Sequence, residues 1–314
     1  MNIADLQKLA AETRLSRETG MALLIASGLL AIFLFIPLAG QRTTEPPVAV
    51  ASSTPDAFAN VPVTAKAAVV YDLATGETLY ARNADAQLPL ASLTKLLTVY
   101  TALAELSPAT PITVSANATA VEGSHVLREG QTFALGDLAR LTLTASLNDG
   151  AVAMSEAAAA REGTTQAAAL ASAASALDLA QTYAVNGSGL DESTTVSGGY
   201  GSARDLAKLA GALVATAPAV ALATTESSTQ ATSAGGTTLT VKNTDPMTGS
   251  LPRLLLSKTG YTELAGGNLA LVFDAGINHP VAVVVLGSTQ KERFTDGAAL
   301  VAATLAHFAG VASL

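Results

Sequence analysis

Apolar and polar positions divide this chain into unlike stretches. From residue 19 to residue 40 no side chain is charged, and 21–38 (MALLIASGLLAIFLFIPL) is almost wholly apolar. About 20 such residues, rising 1.5 Å each, cross ~30 Å of hydrocarbon, so the run predicts a transmembrane anchor over 19–40. Lys8, Arg14 and Arg17 precede it and only Arg42 follows closely. That bias puts a short N-terminus, 1–18, in the cytoplasm and the rest of the chain outside the cytoplasmic membrane. A cleaved signal peptide is the alternative reading of the same run, and it exports the chain equally. Residues 41–65, rich in Thr, Ser, Pro and Ala and without periodicity, read as a linker.

Beyond residue 66 the pattern changes. Residues 67–73 and 77–82 are strand-like and flank Ala74-Thr75-Gly76, which reads as a hairpin turn. Helical spacing runs over 92–106, 135–147, 151–160, 165–179 and 203–216, with a break near Asn148-Asp149-Gly150. Strand-like runs return at 237–241, 253–259, 268–273 and 281–286, and 298–308 reads as a closing helix. Strands at both ends with helices between predict one α/β catalytic domain over 66–314. Its terminal strands would share one antiparallel sheet flanked by helices, beside a mostly helical subdomain.

Composition narrows the function. The 314 residues include no Cys, which excludes disulfide scaffolds and thiol nucleophiles. Of the three His, His125, His279 and His307, none is paired at ligand spacing, so no metal is expected. Seventeen basic and 25 acidic residues give a net charge of −8 with no basic cluster, so nucleic acid has no electrostatic footprint.

Three short motifs remain, in order: Ser92-Leu93-Thr94-Lys95, Ser146-Leu147-Asn148 and Lys258-Thr259-Gly260. Each is weak alone, and Ser288-Thr289-Gln290-Lys291 is a decoy of the first in the wrong order. The first has the right context. Ser92 falls at a helix start with Lys95 one turn on, along the same face. A serine hydroxyl needs a neighbour to take its proton, and a lysine can do so only when its amine is neutral. Burial and a second cation, for which Lys258 is the candidate, both favour the neutral amine. The helix start also offers backbone N–H groups to an oxyanion.

Taken together, the ordered motifs resemble those of penicillin-interacting serine peptidases and class A β-lactamases. Finer matches are similar to the low-molecular-mass D-alanyl-D-alanine carboxypeptidases, the family of penicillin-binding protein 5. They include Ser146-Leu147-Asn148-Asp149-Gly150-Ala151, Asn186-Gly187-Ser188-Gly189-Leu190-Asp191, and Lys258-Thr259-Gly260-Tyr261-Thr262. The resemblance covers roughly residues 62–310 and implies a serine β-lactamase/DD-peptidase-like fold. It implies a cofactor-free enzyme acting on the D-Ala-D-Ala end of peptidoglycan stem peptides and acylated by β-lactams.

Site roles follow from the same resemblance. Ser92 is the implied nucleophile, Lys95 its base, Ser146 the proton relay and Lys258 the source of positive potential. Asn148, Thr259, Gly260, Tyr261 and Arg293 are the implied substrate contacts, with the N–H groups of Ser92 and Tyr261 forming the oxyanion hole. Asn243-Thr244-Asp245 departs from the Asn-x-Asn that relatives often show. Two alternatives use the same fold: a class A-like β-lactamase and a catalytically silent wall-binding relative. The lactamase reading lacks a Glu-x-x-Leu-Asn between the second and third motifs.

Overall fold

The computed structural model describes residues 56–123 and 126–310. The anchor at 19–40, the segment 1–18 and most of the linker lie outside these residues. Among the described residues no helix is long and apolar enough to cross a membrane. The chain opens with β1 (Ala67–Asp72), β2 (Thr78–Arg82) and β3 (Leu88–Pro89), followed by a 3₁₀ turn at Ala91–Leu93 and α1 (Thr94–Glu105). Next come β4 (Pro111–Thr113), α2 (Ala116–Ala120), β5 (Thr132–Ala134), α3 (Leu135–Ala145), α4 (Asn148–Glu162) and α5 (Gln166–Ala176). The short strands β6 (Tyr183–Ala184) and β7 (Gly199–Gly201) lead to α6 (Ala203–Thr216) and α7 (Pro218–Ala223). The chain closes with β8 (Ser228–Thr232), β9 (Thr238–Lys242), β10 (Leu254–Thr262), β11 (Gly266–Asp274), β12 (Pro280–Ser288) and α8 (Glu292–Ala309).

The main sheet has five strands in the order β10-β11-β12-β1-β2, every neighbouring pair antiparallel. The two ends of the domain thus meet in one sheet, as the arrangement of apolar runs predicts. Successive side chains of a strand point to opposite faces. Along β12, Val281, Val283 and Val285 join the apolar layer under α8, while Ala282, Val284 and Leu286 join the layer shared with the middle helices. A continuous apolar run, rather than alternation with polar residues, is what a sheet covered on both faces requires.

Residues 56–65 correct the linker expectation. Ala57, Phe58, Val63 and Ala65 are buried in the layer under α8. Thr64 and Ala65 donate their N–H groups to the Asp296 carboxylate, which also accepts from the hydroxyls of Thr64 and Ser288. The packed part of the chain therefore begins by Asp56, not at Lys66. The buried positions are few and fall among Asn, Pro and Thr with neither helical nor strand period, so composition concealed them.

Removing a partner from a buried network leaves donors unsatisfied at ~1–3 kcal/mol each, whereas an exposed ion pair contributes about 0–1 kcal/mol. Asp296→Ala should accordingly lower unfolding stability by roughly 3 kcal/mol. Asp85→Ala, which breaks the exposed pair to Arg204, should change it by less than ~1 kcal/mol. Urea titration of both variants checks this, and equal effects would contradict it.

Candidate active site

Ser92 lies in the 3₁₀ turn rather than at a capping position, and α1 begins at Thr94 without a side-chain cap. Ala91, immediately before it, has φ +48°, a left-handed conformation that costs a side-chain-bearing residue about 1–2 kcal/mol. Neighbouring backbone holds that turn in place. Asn268 donates from Nδ2 to Pro89 O at 3.0 Å and ties the approach to the sheet. Gly189 lies so close that a Cβ there would come within 2.0 Å of Ala91 O, so the approach admits only glycine.

Lys95, one turn on, is fully buried. Its Nζ donates to Ser92 Oγ at 2.8 Å, to Asn148 Oδ1 at 2.7 Å and to Ser188 O at 2.7 Å. Burial pushes this amine down to about 7, opposed by the Asp149 charge. An amide oxygen and a backbone carbonyl can only accept hydrogen bonds. Once Lys95 is neutral, its lone pair can therefore be satisfied only by Ser92, whose hydroxyl must then be the donor. That arrangement is what a base for this alcohol requires.

The second motif owes its place to another left-handed residue. Ser146 ends α3 at φ +59°, ψ +39°, turning the chain so that Asn148 can open α4 beside Lys95. Asn148 is fixed at its other end by donating Nδ2 to Glu122 O at 2.8 Å. Ser146 Oγ accepts from Lys258 Nζ at 2.9 Å, and the same amine donates to Thr259 O at 2.7 Å. Lys258 is fully buried as well. Burial, then the charges of Lys95 and Arg293, hold its amine well below the usual lysine range, and Asp245 opposes them.

Lys258 sits on β10, the outermost strand of the main sheet, and the rest of the third motif faces the same cleft. A Cβ on Gly260 would lie 3.0 Å from Leu90 O and 3.2 Å from Ser92 N, so β10 passes directly beside the nucleophile turn. Thr259 and Thr244 share a hydroxyl–hydroxyl bond of 2.7 Å. Arg293, buried on α8, donates Nη1 to Gly260 O at 2.5 Å, while its Nε is buried without a partner. The Tyr261 ring is exposed and its hydroxyl donates to Glu263. The structure thus brings every residue singled out from the motifs to one place.

Other groups at the site carry no motif of their own. Asn186 Oδ1 accepts from Ser188 N, Ser188 Oγ and Gly189 N, shaping the loop that presents Ser188 O to Lys95. Thr262 Oγ1 donates to Asp191 Oδ1, joining that loop to the end of β10. A carbonyl has no side-chain signature, so only the neighbouring Asn-Gly-Ser-Gly string hinted at this partner. A separate cleft of about 730 Å³, lined by Tyr100, Leu103, Pro108, Arg140 and Val220, contains none of these groups. Chemistry rather than cavity size therefore locates the active site. Among the described residues no group of three or more His, Asp or Glu is placed to hold a metal ion.

Comparison with known proteins places the family and the fold. Residues 51–290 match the family model of D-alanyl-D-alanine carboxypeptidase. The fold is similar to that of a D-alanyl-D-alanine carboxypeptidase from Mycobacterium tuberculosis, at 26% identity and a TM-score of 0.67, over 81% of this chain and 97% of that one. It is similar also to penicillin-binding protein D2 from Listeria monocytogenes in its ampicillin-bound form (29%, TM-score 0.65, 78% and 98%). The Streptomyces K15 DD-transpeptidase, at 23% identity, shares the fold (TM-score 0.67, 78% and 98%). Among curated protein sequences none matches the chain.

The environment of Lys95 is open to direct measurement. Its Nζ should titrate at about 7 when lysine side-chain nitrogens are followed by NMR against pH. Titration above pH ~9, within reach of the ordinary lysine value, would contradict a base at this position.

Proposed function

The chain belongs to the D-alanyl-D-alanine carboxypeptidase family, and from that premise we propose how its own residues carry the reaction. It is a serine-type D-Ala-D-Ala carboxypeptidase, removing the terminal D-alanine from peptidoglycan stem peptides. One observation carries the assignment of roles: of the partners of the Lys95 amine, only Ser92 can give it a proton.

Ser92 Oγ attacks the carbonyl carbon of the penultimate D-alanine while its proton passes to Lys95. Negative charge develops on the former carbonyl oxygen, which the N–H groups of Ser92 and Tyr261 receive. Such a donor contributes roughly 10²–10³ in rate. Ser146, held by Lys258, relays a proton to the departing amine as the C–N bond breaks. Thr259 and the Arg293 guanidinium, whose Nε lacks a partner, receive the terminal carboxylate. Asn148 and the outer edge of β10 hold the peptide backbone, with Gly260 keeping the strand close to the nucleophile. Water then attacks the acyl carbon and gives up a proton that refills the Ser146–Lys258 pair, the ester to Ser92 breaks, and Lys95 returns its proton to Oγ. β-Lactams acylate the same oxygen.

The substrate lies outside the cytoplasmic membrane, and the apolar run at 19–40 supplies the means of reaching it. We place the catalytic domain in the bacterial cell envelope, held to the cytoplasmic membrane by that run. The full chain should sediment with membranes and be released by detergent but not by carbonate. Recovery of a soluble form beginning after residue 40 would favour a cleaved signal instead.

Ser92→Ala should abolish the penicillin mass gain of the intact protein and lower D-alanine release from a pentapeptide by more than ~10³-fold. In the wild type, kcat/KM should fall as pH drops through about 7, because protonated Lys95 cannot act as base. A persistent adduct in Ser92→Ala, or a rate that rises on acidification, would overturn the roles assigned.

A further inference from the structure

The turn between β11 and β12 carries an apolar side chain that packing does not explain. Ile277 is 97% exposed, whereas the next most exposed large apolar side chain among the described residues, Leu222, is at 47%. Turns favour Gly, Asn and Asp for conformational reasons, and Gly276 and Asn278 meet that need here without an isoleucine. The turn itself is held firmly. Asp274 Oδ1 accepts from the N–H groups of Gly276 and His279, and His279 Nε2 meets Asp72 Oδ2 at 2.7 Å. Ile277 therefore projects from a fixed base.

A line of rings connects this turn to the start of the packed chain. Between ring centroids, His279 lies 4.7 Å from Phe308, Phe308 5.3 Å from His307, and His307 5.8 Å from Phe58. Phe308 is itself 40% exposed, in the last turn of α8. The chain thus enters the domain, at Asp56–Phe58, beside the same apolar tip. Fifteen residues, 41–55, separate that entry from the apolar run at 19–40, and they span at most about 50 Å. A tether makes a second contact intramolecular, so two apolar side chains can suffice where a free domain would need a larger patch.

We propose that Ile277 and Phe308 enter the surface of the lipid bilayer, so that the β11–β12 turn and the end of α8 rest on the membrane. The proposal rests on the reading of 19–40 as an anchor. Charge favours neutral lipid: near the tip the carboxylates of Asp56, Asp72 and Asp274 outnumber the Arg253 guanidinium. The contact also orients the active site. Arg293 stands at the start of α8 and His307 fourteen residues further on. At 1.5 Å per residue, the helix separates the cleft from the tip by about 21 Å. A domain resting on the tip holds its cleft outward, where the stem peptides lie.

The chain contains no Trp, so a single one introduced reports its own surroundings. The purified full chain carrying Ile277→Trp or Phe308→Trp is reconstituted into phosphatidylcholine vesicles, with and without bromine on the acyl chains. Thermal melts matching the wild type establish that each variant folds. Emission from both should be blue-shifted and quenched severalfold by the brominated lipid. Phe294→Trp, at the opposite end of α8, should be quenched far less. Vesicle-bound protein in which Trp at 277 and 308 stays unquenched overturns the proposal. Water-like emission would then leave the tip in solvent, and blue emission would mean that a second copy of the chain covers it. Equal quenching at 294 overturns the orientation. The anchor reading fails separately, by flotation: a full chain that does not rise with the vesicles refutes that reading and removes the proposal with it.

Discussion

An amine sealed from water must either find partners for every hydrogen it carries or give one up, and the rest of this site is arranged around that choice. Lys95 has three partners within 2.8 Å, and only one of them can donate in return. Protonated, the amine saturates all three but bears the cost of a buried charge. Neutral, it avoids that cost and turns its lone pair toward Ser92. The nucleophile is thus activated by where the lysine is buried rather than by any unusual property of the serine. A histidine would titrate in this range unaided; here burial brings a lysine to the same range.

That burial demands a rigid setting, which the fold supplies from several directions. The sheet contributes β10 and, through Asn268, a hold on the approach to the nucleophile. The helical region contributes Asn148, and the 186–189 loop contributes a carbonyl. Two strained residues lie where these parts meet. Ala91 and Ser146 both take left-handed conformations despite having side chains. At about 1–2 kcal/mol each, such conformations persist only where surroundings over-determine them. Gly189 against Ala91 O, and Gly260 against the nucleophile turn, are two of the contacts that do so.

Much of this was legible in the sequence, for identifiable reasons. The apolar run at 281–286 predicts a strand, and Ser92 with Lys95 lies at helical spacing. The ordered motifs then place the chemistry. What stayed hidden lacks a side-chain signature or a period. The carbonyl of Ser188 is backbone, the strands β3, β6 and β7 have two or three residues each, and the burial of 56–65 depends on α8 lying above it. Helix ends were also misplaced for a physical reason. The apolar pattern of 135–147 continues through Leu147, yet the helix stops at Ala145 because Ser146 turns left-handed to meet Lys258. At α8 the helix starts at Glu292, ahead of the apolar run from 298, because its first turn faces the sheet with Arg293 and Asp296. Pattern reading favours apolar faces, and both departures occur where a polar group is buried for a purpose.

Two lysines in one dry cleft raise a problem that one alone would not. The Lys95 charge disfavours a second charge on Lys258. Among the described residues no carboxylate forms a direct ion pair with either amine. Dipoles surround them instead: an amide oxygen and a carbonyl at Lys95, a hydroxyl and a carbonyl at Lys258. Dipoles stabilise a cation without fixing a proton permanently, which a carboxylate in contact would do. Of the two acidic groups that influence the pair, Asp149 accepts from Leu127 N and Gly150 N, and Asp245 from Met247 N and Ser257 Oγ. A proton can then leave Ser92 for Lys95 and a second be passed through Ser146 without either transfer breaking a salt bridge. With hydroxyl, amide and carbonyl groups in contact with both amines, burial is the largest influence on their protonation.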